Sequence, residues 1–400
     1  MRSQDQAKGA GTARRTRHGW VRVHAGAWAR WPALAGCAAL AAALLALAPG
    51  AAARDDDQVL NVYNWSDYIG ENTIRDFEKE TGIKVNYDNF DANEVLHAKL
   101  RAGHTGYDVV SPSAHWAKRQ IEGHLLRKLD KSKISTYGNL DPWLMGQLAV
   151  AAKDPDNDYV VPWLWGITTV GINVDKVKAA LGPLPMPEDA WDLIFKPEYA
   201  SRLKGCGLSV LDTGDDLFPA ALRYLGKPGY SHERADYDEA AKLLAKLRPS
   251  VTMFSSSGYI NSLADGSLCA VLGWNGDIAM AGQRAKAAHN GQKIVALVPK
   301  SGAFMYFDTM AIPADAPHVE NAYKWISYIY RPEVQAGIVN KVLHANPVRA
   351  ADKLVSPDVR AVAGVFLKGP ELAHLAPQEA LPEDVLRVRT RLFTAFKTGQ

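Results

Sequence analysis

The chain has 400 residues, 47% of them hydrophobic and 22% charged, with 32 Gly and 22 Pro, a composition that excludes disordered, collagen-like and coiled-coil proteins. Its formal charge of +3 is unevenly spread, because residues 1–53 hold seven Lys or Arg against the single acid Asp5, leaving 39 basic and 42 acidic residues in the rest. A remainder that is net acidic does not carry the electrostatic footprint of a nucleic-acid binder.

In chain order, a basic stretch ending at Arg30 precedes an apolar run, Ala33 to Ala48, and the small residues Ala51 to Ala53. This is the pattern of a cleavable signal peptide over 1–53. The run is shorter than the roughly 20 residues that span a bilayer, so a soluble, exported product is expected. Export puts Cys206 and Cys269 in an oxidising space, where one disulfide is expected and two buried free thiols are the alternative. Neither cysteine has a second Cys or a His at ligand spacing, which argues against a zinc site.

The chain beyond residue 53 exceeds the length one hydrophobic core usually serves, so two lobes are expected. Val59 to Asn64 reads as a strand, Thr73 to Thr81 as a helix with Ile74 and Phe77 on one face, Lys84 to Phe90 as an alternating strand, Asn93 to Ala102 as a helix and Tyr107 to Ser111 as a strand. Such strand–helix–strand units imply an α/β layer architecture. The segment Asp154 to Gly166, with Pro155, Pro162 and Gly166, breaks the rhythm, and a crossing between lobes is expected near Pro162 to Gly166. A new series starts with a strand Val170 to Asn173. It continues with a strand Gly207 to Leu211, helices Ala220 to Leu225 and Tyr237 to Leu247, and strands Cys269 to Trp274, Ile294 to Val298 and Met305 to Ile312. The tail from Pro332 is expected to be mostly helical. The division expected is 58–163 with about 286–333 in one lobe, and 164–285 with about 334–400 in the other.

Ligands of open α/β sheets bind beyond the carboxyl ends of the strands, and the residues there are alike. Trp65, Ser66, Asp67 and Tyr68 follow the first strand; Ser113, His115 and Trp116 follow the third. Asp212, Asp215 and Asp216 come after Gly207 to Leu211, Trp274 and Asp277 end the Cys269 strand, and Tyr306 and Asp308 lie within the Met305 strand. Acids and large aromatics without Lys or Arg suit an organic cation: carboxylates offset the lost hydration of an ammonium group, and aromatic faces attract charge while covering methylenes. Singly, each has a plainer reading, a Trp as core packing and an Asp as a helix cap. Their coincidence at five strand ends favours a ligand.

The segments Asn64-Trp65-Ser66-Asp67-Tyr68-Ile69, Phe77-Glu78-Lys79-Glu80-Thr81-Gly82-Ile83-Lys84-Val85, Leu129-Asp130-Lys131-Ser132-Lys133, Asn139-Leu140-Asp141-Pro142 and Gly273-Trp274-Asn275-Gly276-Asp277 resemble the periplasmic putrescine-binding proteins of polyamine ABC importers, and the spermidine-binding relatives less closely. The resemblance implies an α/β, two-lobed periplasmic binding protein of type II-like form, with the ligand cleft between the lobes and Cys206 bridged to Cys269 in the second lobe. It implies that Trp65 and Tyr68 wall the cleft from one side with polar contacts from Ser66, Asp67 and Ser113. On the other side Asp216, Trp274 and Asp277 would face the ligand, with Ser256 nearby, Asp308 on an ammonium group and Tyr306 as the usual aromatic. It further implies a monomer that delivers a polyamine to an ABC permease at the inner membrane, with no cofactor, no metal and no catalysis. Three residues depart from the family pattern: His344 where Tyr is usual, His115 at a position that helps separate putrescine from spermidine binders, and Asp216 for the usual Glu. Protonation of either histidine would oppose a cation, so binding that weakens below about pH 6.5 is one expectation; the alternative is that His344 is a neutral, hydrogen-bonding wall residue.

Other classes find less support. There is no Gly-x-Ser-x-Gly, no His-Glu-x-x-His and no phosphate loop to suggest an enzyme. A carrier for agmatine, cadaverine, spermidine or a quaternary ammonium compound remains as the alternative, the last needing fewer acids than are present. A ferric-ion carrier using Tyr328 and Tyr330 would have to take them from what reads as an ordinary buried helix.

Overall fold

A computed structural model describes residues 58–367 and 369–400; the expected signal peptide, 1–53, lies outside the described residues. Two sheets organise them. The first has three parallel strands in the order β2-β1-β3, with β1 at Val59–Trp65, β2 at Lys84–Phe90 and β3 at Val109–Val110. Helix Thr73–Thr81 joins β1 to β2 and buries Thr73 and Phe77. It ends at Gly82, which takes the left-handed φ of 71° and returns its N–H to the Glu78 carbonyl, the cap that only glycine adopts without strain. Helix Asn93–Ala102 joins β2 to β3. These elements agree with the sequence reading, although β3 is shorter than the expected Tyr107 to Ser111.

The second sheet has seven strands. They are β4 (Val161–Asn173), β5 (Leu208–Val210), β6 (Met253–Phe254), β7 (Ala270–Trp274), β8 (Ile294–Leu297), β9 (Ala303–Met310) and β10 (Leu375–Pro377). Their order is β10-β9-β4-β7-β5-β6, with β8 also on β4. The 13 residues of β4 are all buried, and the strand changes partner midway: Val161 to Ile167 run antiparallel to β9, and Thr168 to Asn173 to β7 and β8. This corrects the expected interruption, since Pro162 and Gly166 lie inside a continuous strand. Pro162 is tolerated because the ladder is irregular between Pro162 and Leu164. Gly166 is required because a Cβ there would stand 2.3 Å from the Tyr306 hydroxyl. Strand β9 also reaches the first sheet's edge, through bridges Val110–Ala311 and Ser113–Asp308.

Helix Gly214–Tyr224 starts earlier than expected, where Thr213 accepts the Asp215 N–H and so caps it. The tail holds helices Pro332–Val342 and Glu383–Thr398 and one strand not foreseen, β10, which pairs parallel with β9. Cys206 and Cys269 form the expected disulfide, their Cα atoms 5.5 Å apart, and it ties the segment before β5 to the segment before β7.

Candidate ligand-binding site

Strand ends from both sheets meet around one cavity of about 280 Å³. Trp65 closes β1, its indole N–H donating to the Ser111 carbonyl at 2.9 Å and its ring resting on Phe90 with centroids 4.5 Å apart. The next turn puts Asp67 at φ 55° and buries Tyr68, which meets the His344 ring edge-on at 4.7 Å. The Tyr68 hydroxyl, buried near Asp308, meets no partner in hydrogen-bonding geometry among the described residues. Ser113 precedes helix Ala114–Glu122 and donates to Asp308 Oδ1 at 2.8 Å, with Asn93 bracing it by two bonds of 3.0 and 3.1 Å.

On the facing side, Asp216 accepts from the Thr168 hydroxyl, from Trp274 Nε1 at 3.3 Å and from Gln378 Nε2 at 3.1 Å. Asp277, in the first turn of helix Asn275–Ala287, accepts from the Tyr259 hydroxyl at 2.9 Å. His344 Nδ1 lies 2.7 Å from the Val342 carbonyl. A carbonyl only accepts, so Nδ1 carries the proton, and in the neutral ring Nε2 offers a lone pair. Gly276 makes that ring's position possible, because a Cβ there would lie 2.4 Å from the imidazole.

The twelve residues that the sequence assigned to the site all line this cavity: Trp65, Ser66, Asp67, Tyr68, Ser113, Asp216, Ser256, Trp274, Asp277, Tyr306, Asp308 and His344; of the other strand-end residues, His115 and Asp212 line it and Trp116 does not. They are unequal. The Asp67 carboxylate is 72% exposed and turns to Arg284 at 3.5 Å, so it stands at the rim. Ser256 is half-buried and accepts the Asp212 N–H at 3.2 Å. Asn93, Glu94, Gln378, Arg389 and Phe393 also line the cavity and were not foreseen. Asp215, noted with its acidic neighbours but not assigned to the site, is there as well. Tyr328 and Tyr330 are not among the lining residues, and the Tyr330 hydroxyl donates to the Pro162 carbonyl at 2.6 Å.

The lining is strongly acidic, with Asp67, Asp91, Glu94, Asp212, Asp215, Asp216, Asp277 and Asp308 set against Arg389. Burial pushes Asp277 up to about 7, with the Tyr259 hydroxyl and Arg284 opposing. Burial likewise pushes Asp308 up to about 6, with Ser113 opposing, and raises Asp216. Both histidines move the other way, to about 4, again through burial. That corrects the expectation of a histidine response and agrees with the alternative of His344 as a neutral wall residue: His115 and His344 stay neutral through pH 6.5, and the groups that change charge near neutrality are carboxyls. Carboxyls raised in this way are short of counter-charge, and Trp65, Tyr68, Trp274 and Tyr306 supply flat apolar walls between them.

Similarity to known proteins agrees with this chemistry. A family model of bacterial extracellular solute-binding proteins matches residues 72–360, and the chain belongs to that family. Its fold is the expected α/β, two-lobed periplasmic binding protein fold, with the ligand cleft between the lobes. The putrescine-binding periplasmic protein PotF of Escherichia coli (strain K12) is 46% identical over 362 residues, 90% of this chain and 97% of the relative. The putrescine-binding periplasmic protein SpuD of Pseudomonas aeruginosa (strain UCBPP-PA14) is 43% identical over 361 residues, covering 90% and 98%. Among solved structures, a putative spermidine/putrescine ABC transporter from Listeria monocytogenes superposes with a TM-score of 0.75 at 28% identity, covering 86% of this chain and 100% of that one.

Proposed function

We propose that this protein captures an aliphatic diamine of the putrescine class in the periplasm and delivers it to the permease of an ABC importer. The observation that carries the reading is the cavity: buried carboxyls raised by desolvation, separated by aromatic walls, in a chain 46% identical to a putrescine-binding protein. A primary diamine is doubly charged at neutral pH, so both ends need counter-charge. Asp277 and Asp308 take one ammonium group, with neutral His344 accepting through Nε2. Asp216 takes the other, directly or through water, and Trp65, Trp274 and Tyr306 cover the methylenes. Ser113 holds Asp308 by its hydrogen bond; Asp67, at the rim, acts on closure through Arg284.

An empty closed cleft confines carboxylates that repel one another, so the dication favours closure by binding the closed form better. The protein works as a monomeric carrier rather than an enzyme, its relatives being solute-binding proteins. It reaches the periplasm by a signal peptide over 1–53. The lobes divide as 58–163 with a return segment ending near 333, and the remainder; the pairing of β8 with β4 argues for beginning that return inside β9. Calorimetric titration of ligand-stripped protein with putrescine, cadaverine, agmatine, spermidine and choline tests the function. Tight diamine binding without a choline response is expected; the reverse order of preference overturns it.

A further inference from the structure

Arg389 is the single Lys or Arg among the residues lining the cavity, and it is 5% exposed. A guanidinium beside a cationic ligand weakens binding by like-charge repulsion, yet its place is built. It projects from helix Glu383–Thr398 on the same buried face as Val385 and Phe396, and it pairs with Asp215 Oδ1. The second oxygen of Asp215 accepts from Trp116 Nε1 at 2.9 Å and meets His115 Nε2 at 3.1 Å. Gly214 leaves the space: a Cβ there would come within 3.2 Å of Phe393 and 3.8 Å of Arg389 Cγ.

Asp215 is thus fully occupied by protein donors. On Asp308 and Asp216, by contrast, the bonds from Ser113, Thr168, Trp274 and Gln378 all fall on Oδ1, and Tyr68 lies beside Asp308. The pair is also poorly suited to a purely stabilising role. Arg389 Nε is buried without an acceptor among the described residues, and desolvating a guanidinium costs about as much as pairing returns.

We infer that Arg389 is a tethered cation, seated on the carboxylate that a third ammonium group would otherwise take, and that it limits the ligand to two charges. The inference rests on the amine reading of the cavity. With Asp215 neutralised, a third ammonium group at that end of the cavity meets a fixed positive group in place of a free carboxylate, and Glu94, the other acid facing Arg389, is shared with it. A diamine contacts neither Arg389 nor Asp215.

The test is calorimetry with putrescine and spermidine on the full mature protein, on Arg389→Gln and on Arg389→Lys, each checked for folding by circular dichroism. The wild type is expected to bind putrescine at least about 100-fold more tightly than spermidine. Arg389→Gln should narrow that ratio at least about tenfold by tightening spermidine, and Arg389→Lys should preserve it. Equal wild-type affinities for the two amines overturn the inference without any variant being needed. So does a folded Arg389→Gln in which both affinities move together, the mark of a packing role. A wild type that binds no putrescine removes the amine reading itself, whereas one that binds both alike removes only the limit set by Arg389.

Discussion

Lowering the pH is expected to loosen diamine binding through two carboxyls rather than through the histidines. Ligand-free, Asp277 titrates at about 7 and Asp308 at about 6, and an ammonium partner needs both ionised. Any proton they hold must leave when the ligand enters. From pH 8 to 5.5 this costs about 1.5 decades of affinity for Asp277 and about 0.6 for Asp308, together about 100-fold or ~3 kcal/mol. The groups facing Asp277 are Tyr259, Arg284, His344, Asp67 and Asp308; those facing Asp308 are Ser113, Tyr68, His115 and Asp216. The two histidines, at about 4, contribute nothing in this window. Calorimetry with putrescine at pH 8, 7, 6.5 and 5.5, in two buffers of unlike ionisation enthalpy, should show the loss of affinity and the release of about one proton near pH 6.5. Ligand-free stability carries the opposite sign. Because folding raises Asp277 above its unfolded value, its contribution is present at low pH and is lost as the pH rises through about 7, a penalty of ~4 kcal/mol in the empty protein at pH 8. Asp277→Asn should therefore raise the ligand-free melting temperature at pH 8, raise it less at pH 5, and hardly alter it at pH 3, below the unfolded carboxyl value. A dissociation constant steady within threefold from pH 8 to 5.5, with no proton released, refutes the reasoning.

Asp277→Ala with Asp308→Ala should cost about 3–5 kcal/mol of putrescine binding, because it leaves a desolvated ammonium without its partners; near-normal affinity by calorimetry would remove those roles. Gly276→Ala forces the His344 ring from its place and is expected to weaken putrescine binding about tenfold or more and to cost ~1–3 kcal/mol of stability in urea unfolding. Cys206→Ser with Cys269→Ser opens a loop closed over a separation of 63 residues and should lower stability by up to ~4 kcal/mol. Neither cysteine lines the cavity, so the affinity of the folded variant should stay within about threefold of the wild type.

The elements legible in the sequence were those whose signals are local. Helix Thr73–Thr81 announces itself by Phe77 at helical spacing and by Gly82 beyond its end; β2 alternates, and both have the bounds expected. Strand β4 could not be read in full, because Pro162 and Gly166 are punctuation in isolation. They become strand residues only through the irregular ladder with β9 and the nearness of Tyr306. Strand β10 is three residues, Leu375 to Pro377, with a proline and no period, and it exists because β9 offers it an edge. The site divides in the same way. Trp65, Asp216, Trp274, Asp277 and Asp308 stand at or near strand ends, where the sheet aims them. Arg389 stands between Arg387 and Arg391, and no periodicity tells which of three arginines is turned inward; packing on Gly214 and pairing with Asp215 decide it.

The protein–protein contacts that join the walls of the cleft are unequal to the strain they enclose. The Asp67–Arg284 pair is 72% and 35% exposed, and exposed pairs contribute at most ~1 kcal/mol. His115 and Trp116 meet an Asp215 whose charge Arg389 already balances, so these bonds orient the walls more than they bind them. Against this stands ~4 kcal/mol for ionised Asp277 alone at pH 8, with Asp308 adding in the same direction. On the proposed reading, the dication both removes that penalty and supplies attraction between the walls, so binding energy is released mainly when the cleft shuts. Selectivity comes from the same balance. A ligand with too few charges leaves a raised carboxyl unrelieved, and one with too many must confront Arg389.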